Sequence, residues 1–226
     1  MYFQLPQMLC LYASGRTTGM VLDSGDSLTS AVPICEGMYD PSTVCTSKLG
    51  GRDVTKYLSK LLRLAGFNLT TSAELQTVKH IKHKMCSTAF SLDKALDFKD
   101  LAQGLGYKLP DGRTVQLGLE KYQAPELILN PSIDGREEKG ILELLTDAIS
   151  KCKNEDRMSI ISRIVLAGGA TTTKHFEERL VYSIRKARRY SKVCITAPER
   201  RTENAWLGGA ILTTLSFFKG MSISKA

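Results

Sequence analysis

The sequence predicts an α/β protein. Strand-length apolar runs bounded by turn residues, continuous apolar stripes at helical spacing, and the alternation of the two along the chain all point there. Residues 20–22 and the alternating stretch 28–34 flank a turn of Asp, Ser and Gly, which is hairpin chemistry. Asp53 then caps a helix bearing Val54, Tyr57, Leu58, Leu61, Leu62 and Ala65. Those offsets make one stripe, and Gly66 ends it. Thr71-Ser72-Ala73-Glu74 has capping-box spacing and opens a second helix carrying Leu75, Val78 and Ile81. Residues 101–132 are richer in Gly and Pro, with a turn at Leu109-Pro110-Asp111-Gly112 before a short strand over 114–117. Ile141, Leu144, Leu145, Ala148, Ile149 and Cys152 repeat the helical stripe. Ile164-Val165-Leu166-Ala167 is too short for a helix and reads as a strand closing on Gly168-Gly169, with a helix opening near Thr173. A final helix is expected over about residues 203–218, and there is no internal repeat.

Composition bounds the function. A chain of 226 residues, 42% hydrophobic and 24% charged, has room for one large domain or two small lobes. The longest apolar stretch, residues 205–218, carries Thr213, Thr214 and Ser216 and is too short to cross a bilayer, so no membrane partner is expected. Met1-Tyr2-Phe3-Gln4-Leu5-Pro6 lacks a basic region followed by a long apolar run, so an intracellular setting is expected. Lys plus Arg minus Asp plus Glu is 31 − 23 = +8, which favours acidic partners. The surplus gathers at Lys79-His80-Ile81-Lys82-His83-Lys84 and at Arg185-Lys186-Ala187-Arg188-Arg189 with Lys192. Neither cluster has the aromatic or glycine pattern of a nucleic-acid module, so both read as solvated helix faces and nucleic acid is not favoured as a partner. The six cysteines form no C-x-x-C pair and read as reduced thiols. His80, His83 and Cys86 do not share a helix face, because six residues turn the direction by about 600 degrees. No metal site is assigned.

Two glycine-bearing turns carry chemistry. In Asp23-Ser24-Gly25-Asp26, small residues let backbone N–H groups approach an anion, while two carboxylates could hold a hydrated divalent cation. In Leu166-Ala167-Gly168-Gly169-Ala170-Thr171, glycines between strand and helix let a flat ligand or a phosphate lie on the backbone. Either turn alone is also what an ordinary hairpin or loop would show.

Taken in order, the motifs resemble the actin family. The likeness runs from Tyr12-Ala13-Ser14-Gly15-Arg16-Thr17-Thr18-Gly19 through Asp23-Ser24-Gly25-Asp26, Val32-Pro33, Glu36-Gly37 and Gly51-Arg52-Asp53. It continues through Leu109-Pro110-Asp111-Gly112, Leu166-Ala167-Gly168-Gly169, Ala197-Pro198-Glu199-Arg200, Trp206-Leu207-Gly208-Gly209 and Ile223-Ser224-Lys225. The resemblance implies an α/β fold of the actin/Hsp70/sugar-kinase (ribonuclease H-like) kind, divergent and lacking the N-terminal third of the family pattern. It implies one complete inner lobe, with residues 14–49 and 138–202 as its lower subdomain and residues 50–137 as its upper one. Residues 1–13 and 203–226 would be remnants of the small outer lobe.

The resemblance also implies where a nucleotide would lie: Asp23, Ser24, Gly25, Asp26, Gly51, Lys82, Gly168, Gly169 and Arg201. Actins orient a water with a Gln and a nearby His, and the matching positions here are Pro6 and Ser30. Proline has no side-chain donor or acceptor, and serine titrates far above neutral. Ser27 replaces a glycine in the phosphate hairpin and is expected to crowd it, and His83 replaces a ribose-binding carboxylate. A vestigial site with no catalytic residue is therefore expected, with no cofactor required and ATP with Mg or Ca bound weakly. In the apolar filament loop of actins this chain reads Ser132-Ile133-Asp134-Gly135-Arg136-Glu137-Glu138, whose unpaired charges should oppose self-polymerisation.

A partner groove is implied by Tyr12, Ala13, Gly15, Thr17, Leu207, Ile211, Leu212, Leu215 and Met221, apolar at the centre with a mixed rim. Leu207, Ile211 and Leu215 fit a groove or a buried core equally well by spacing. The expected role is a cytoskeletal, cytoplasmic protein that works by binding cytoskeletal or actin-binding proteins, one of them an obligate partner. The alternatives are a piece or isoform of an ATP-binding actin-related protein, or a nuclear actin-related subunit of a chromatin complex.

Overall fold

In the computed structural model, residues 2–90, 106–187 and 193–223 are described. The centre is a mixed five-stranded sheet, order β3-β2-β1-β6-β7, built from β1 (Gly19–Ser24), β2 (Thr29–Ile34), β3 (Cys45–Ser47), β6 (Ile164–Ala167) and β7 (Ile195–Thr196). A separate hairpin pairs β4 (Gly106–Lys108) with β5 (Thr114–Gln116). β1 runs antiparallel to β2 and parallel to β6, with Asp23 opposite both Ser30 and Ala167. That register brings both glycine turns to one end of the sheet.

The helices are α1 (Pro6–Ala13), α2 (Gly51–Leu64), α3 (Ser72–Met85), α4 (Glu120–Leu129), α5 (Ile141–Lys151), α6 (Asn154–Ile161), α7 (Phe176–Lys186), α8 (Asn204–Thr214) and α9 (Phe218–Met221). Both faces of the sheet are covered. Met20, Leu22, Ala31, Ile164 and Leu166 join the main core with Leu144 and Ala148 of α5, which runs on through Val54 and Leu58 of α2 to Val78 and Ile81 of α3. On the other face Val21, Val32, Ile34, Val165 and Ala167 pack on Met8, Cys10 and Leu11 of α1. Hence β2 is buried at all six positions instead of alternating, and it starts at Thr29, with Leu28 exposed in the turn.

Several elements refine the expectations from sequence. Asp53 is not the cap of α2 but its third residue, where its carboxylate accepts from Gly50 N–H at 3.1 Å. The Thr71/Glu74 capping box forms as predicted: Thr71 Oγ1 accepts from Glu74 N–H at 3.3 Å, and Glu74 accepts in return from Thr71 N–H at 2.8 Å. A 3₁₀ turn at Gly169–Thr172 delays α7 to Phe176, beyond the expected Thr173. The last helix is two: α8 ends at Thr214, Leu215 is extended, and α9 is a short turn. Three helices, α1, α4 and α6, had no sequence-level prediction. In α4, Pro125 cannot donate to the Lys121 carbonyl, and Ser87 N–H takes that acceptor at 3.0 Å.

α8 lies on α1 through Asn204, Gly208 and Leu212. A Cβ at Gly208 would collide with the Leu9 carbonyl, so only glycine allows this approach. Arg188, Arg189 and Lys192 of the second basic cluster, and Ser224 and Lys225 of the last motif, lie outside the described residues. Among the described residues no helix is long and apolar enough to cross a membrane.

Candidate functional site

The nine residues proposed for nucleotide converge at one end of the sheet. Gly25 N–H closes the β1–β2 turn on the Leu28 carbonyl at 2.9 Å. The start of α2 docks on this turn, with Gly51 N–H on the Gly25 carbonyl at 2.8 Å and Arg52 N–H on the Asp26 carbonyl at 2.7 Å. Lys82 reaches from α3 to donate to the Gly51 carbonyl at 2.6 Å. Gly168, at φ +83°, packs so close to β1 that a Cβ would strike the Ser24 carbonyl and the Asp23 carboxylate. Its N–H is bonded to the Arg201 carbonyl at 3.3 Å.

Part of the charge in this site is taken up by the chain itself. Gln7 Nε2 donates to Asp23 Oδ2 at 2.9 Å and to Ser30 Oγ at 3.1 Å. Burial raises the Asp23 carboxyl, and the Gln7 bond offsets only part of that rise. Asp26 pairs with Arg52 at 2.7 Å, both groups half exposed. Burial first, and then the neighbouring Lys79, bring Lys82 down to about 8. Ser27 stands exposed with an ordinary negative φ. The space between Gly51, Lys82, His83, Gly169 and Thr173 amounts to about 30 Å³, roughly one water's share of the liquid.

A divalent cation would need the Asp23 and Asp26 carboxylates as acceptors for itself or its waters. Each already accepts from the protein through Oδ2, and the space beside Lys82 is narrow. As the side chains stand, the two carboxylates are partly engaged by the chain's own donors. One group points the other way: Arg201 Nε and Nη1 are buried without a hydrogen-bond partner, and burial lowers that guanidinium. Sequence reasoning missed Gln7, although Pro6 at the first helical position signals a helix start that places Gln7 in the first turn.

The groove residues divide. Leu207, Ile211, Leu215 and Met221 are 38–43% exposed, and Gly15 and Thr17 are exposed beside the half-buried Tyr12 and Ala13. Leu212 does not belong with them: at 5% exposure it packs inward against α1, on the stripe of Asn204 and Gly208. The spacing missed a second apolar surface. Trp206 and Phe3 are 74% and 81% exposed and help line a cavity of about 580 Å³ with Tyr2, Leu9, Gly209 and Phe218.

The loop that resembles the filament contact is tied down instead of carrying unpaired charges. Lys60 meets Asp134 at 2.6 Å, Asp134 meets Arg136 at 3.4 Å, and Arg136 reaches Asp53 at 3.3 Å. Glu137 and Glu138 are exposed.

The family model described as Actin matches residues 1–226. The chain belongs to the actin family. It is 40% identical over 230 residues to an "Actin-like protein" of Neurospora crassa, an alignment covering 99% of this chain and 60% of that relative. The chain thus spans about three-fifths of that relative's length.

Proposed function

We propose that this actin-family chain acts by protein–protein interaction within a cytoskeletal or other actin-related assembly, without nucleotide hydrolysis or self-polymerisation. The observation that carries this reading is the bare apolar face of α8. Leu207 and Ile211 share one side of the helix, Leu215 follows just past its end, and all three are exposed. An exposed apolar row of that spacing suits an amphipathic helix laid against it. The partner is a cytoskeletal or actin-binding protein, the setting is the cytoplasm, and the inner-lobe and outer-lobe assignments given by the resemblance describe the parts. Binding of a fluorescent amphipathic helix to the purified chain tests it. Anisotropy should rise on binding and fall at least tenfold in affinity for Leu207→Asp and Ile211→Asp. Binding that ignores both changes would sink the proposal.

A second reading, a piece of a slow ATPase, draws on Arg201, whose Nε and Nη1 are buried without a hydrogen-bond partner. Phosphate release from ATP that Asp23→Ala abolishes would favour it.

A further inference from the structure

We infer that Gln7 is a resident occupant of the cation position: its amide, seated between Asp23 and Ser30, does for the Asp23 carboxylate what a hydrated divalent cation would do.

Pro6 fixes the start of α1, and Gln7 follows it in the first turn. Helical side chains lean toward the N-terminus, so Gln7 extends off the end of the helix toward the sheet. There the β1–β2 register sets Asp23 directly opposite Ser30. A primary amide has two N–H donors on one nitrogen, and each has its own acceptor here, at 2.9 and 3.1 Å. The three positions are therefore one device. Proline starts the helix, glutamine supplies the donors, and the small serine hydroxyl accepts the second hydrogen without filling the space.

A half-buried carboxylate without a donor is costly, and a site organised by a metal would leave it so whenever the metal is absent. With the amide in place Asp23 Oδ2 has a donor from the chain itself. Arg52 does the same for Asp26 from the start of α2. The fold should then be indifferent to divalent cations. This extends the proposal that the chain works without nucleotide chemistry, and the two fail separately, because helix binding at α8 does not involve Gln7.

The test is thermal unfolding of the full chain with EDTA or with millimolar Mg2+, alongside Mn2+ binding followed by electron paramagnetic resonance. The wild-type Tm should not move between EDTA and Mg2+, and Mn2+ should remain free. Gln7→Ala should lose stability in EDTA and regain about 2–4 °C with Mg2+, with Mn2+ binding that Asp23→Asn removes. If Gln7→Ala does not fold, Ser30→Ala removes one of the two anchors and should show the same gain in smaller measure. A wild-type Tm raised by Mg2+, or wild-type Mn2+ binding abolished by Asp23→Asn, overturns the inference. So does a folded Gln7→Ala or Ser30→Ala chain that gains no response to either ion.

Discussion

α5 and α8 carry apolar rows of the same kind and meet opposite fates. Ile141, Leu144, Leu145 and Ala148 of α5 are buried against the sheet. Leu207, Ile211 and Leu215, spaced four apart from α8 onward, stay exposed, and so does Trp206 on another side. The buried residues of α8 form one narrow stripe, Asn204, Gly208 and Leu212, in which Leu212 is the largest side chain. A helical apolar pattern says that a surface wants cover, and only the rest of the fold says whether the cover is present. For α5 it is the sheet. For α8 it is α1 on one side and open surface elsewhere.

The largest expected effect separates these two regions directly. Leu166→Ala or Leu58→Ala removes a fully buried side chain from the main core and should cost about 2–5 kcal/mol in urea denaturation. Leu207→Ala or Ile211→Ala should cost no more than about 0.5 kcal/mol in the isolated chain. Equal losses at the two sites would mean that α8 is covered in solution by something like a second copy, and the contrast would collapse.

Next in size is a pH effect confined to the candidate site. Lys82 is buried and its ammonium sits at about 8, below the ordinary lysine value of 10.5. Between these values the unfolded chain binds more protons than the folded one, so stability rises as pH climbs through that window. The full cost of charging Lys82 below pH 8 is on the order of 3 kcal/mol. Lys82→Met should therefore flatten the rise, read as the difference between the two chains' stability curves, which removes the thiols and phenols titrating in both. A wild-type curve parallel to that of Lys82→Met would mean that Lys82 is hydrated and the site more open than the 30 Å³ space allows.

The legible part of the molecule was the part whose order is local or repetitive. The stripes of α2 and α5 and the Thr71/Glu74 box each contain their own signal within a few turns, and the hairpin turn does too. α1 and α6 are only eight residues long, too short to display a period, and Pro125 hides α4 because the compensating donor, Ser87, is far away in sequence. The site behaved similarly. Its glycines and carboxylates were legible as motifs, and they do converge. What the motifs could not show is that Gln7, outside them, and Arg52, within one, donate to the carboxylates. Leu207, Ile211 and Leu215 stood undecided between groove and core for the same reason, since exposure depends on residues brought in from elsewhere.

The smallest effect distinguishes segments held by charge from segments held by packing. The loop around Asp134 is fixed to α2 through Lys60, Arg136 and Asp53, and Lys60 is about half exposed. Burial raises the Asp134 carboxyl, but the bonds from Lys60 and Arg136 outweigh it and hold the group below the ordinary carboxylate range. Ion pairs at such a surface contribute about 0.2–1 kcal/mol each, and salt screens them. α8, by contrast, has no ion pair among its described residues and rests on the close approach of Gly208 to Leu9. Raising the salt from low to molar should therefore speed amide exchange in the loop by about two- to fivefold and leave α8 unchanged or slightly better protected, because salt favours apolar burial. Lys60→Met should remove most of the loop's salt response at a cost of about 0.5 kcal/mol or less. Exchange that quickens equally in both segments would show that one common opening, not two different kinds of attachment, governs the edge of this molecule.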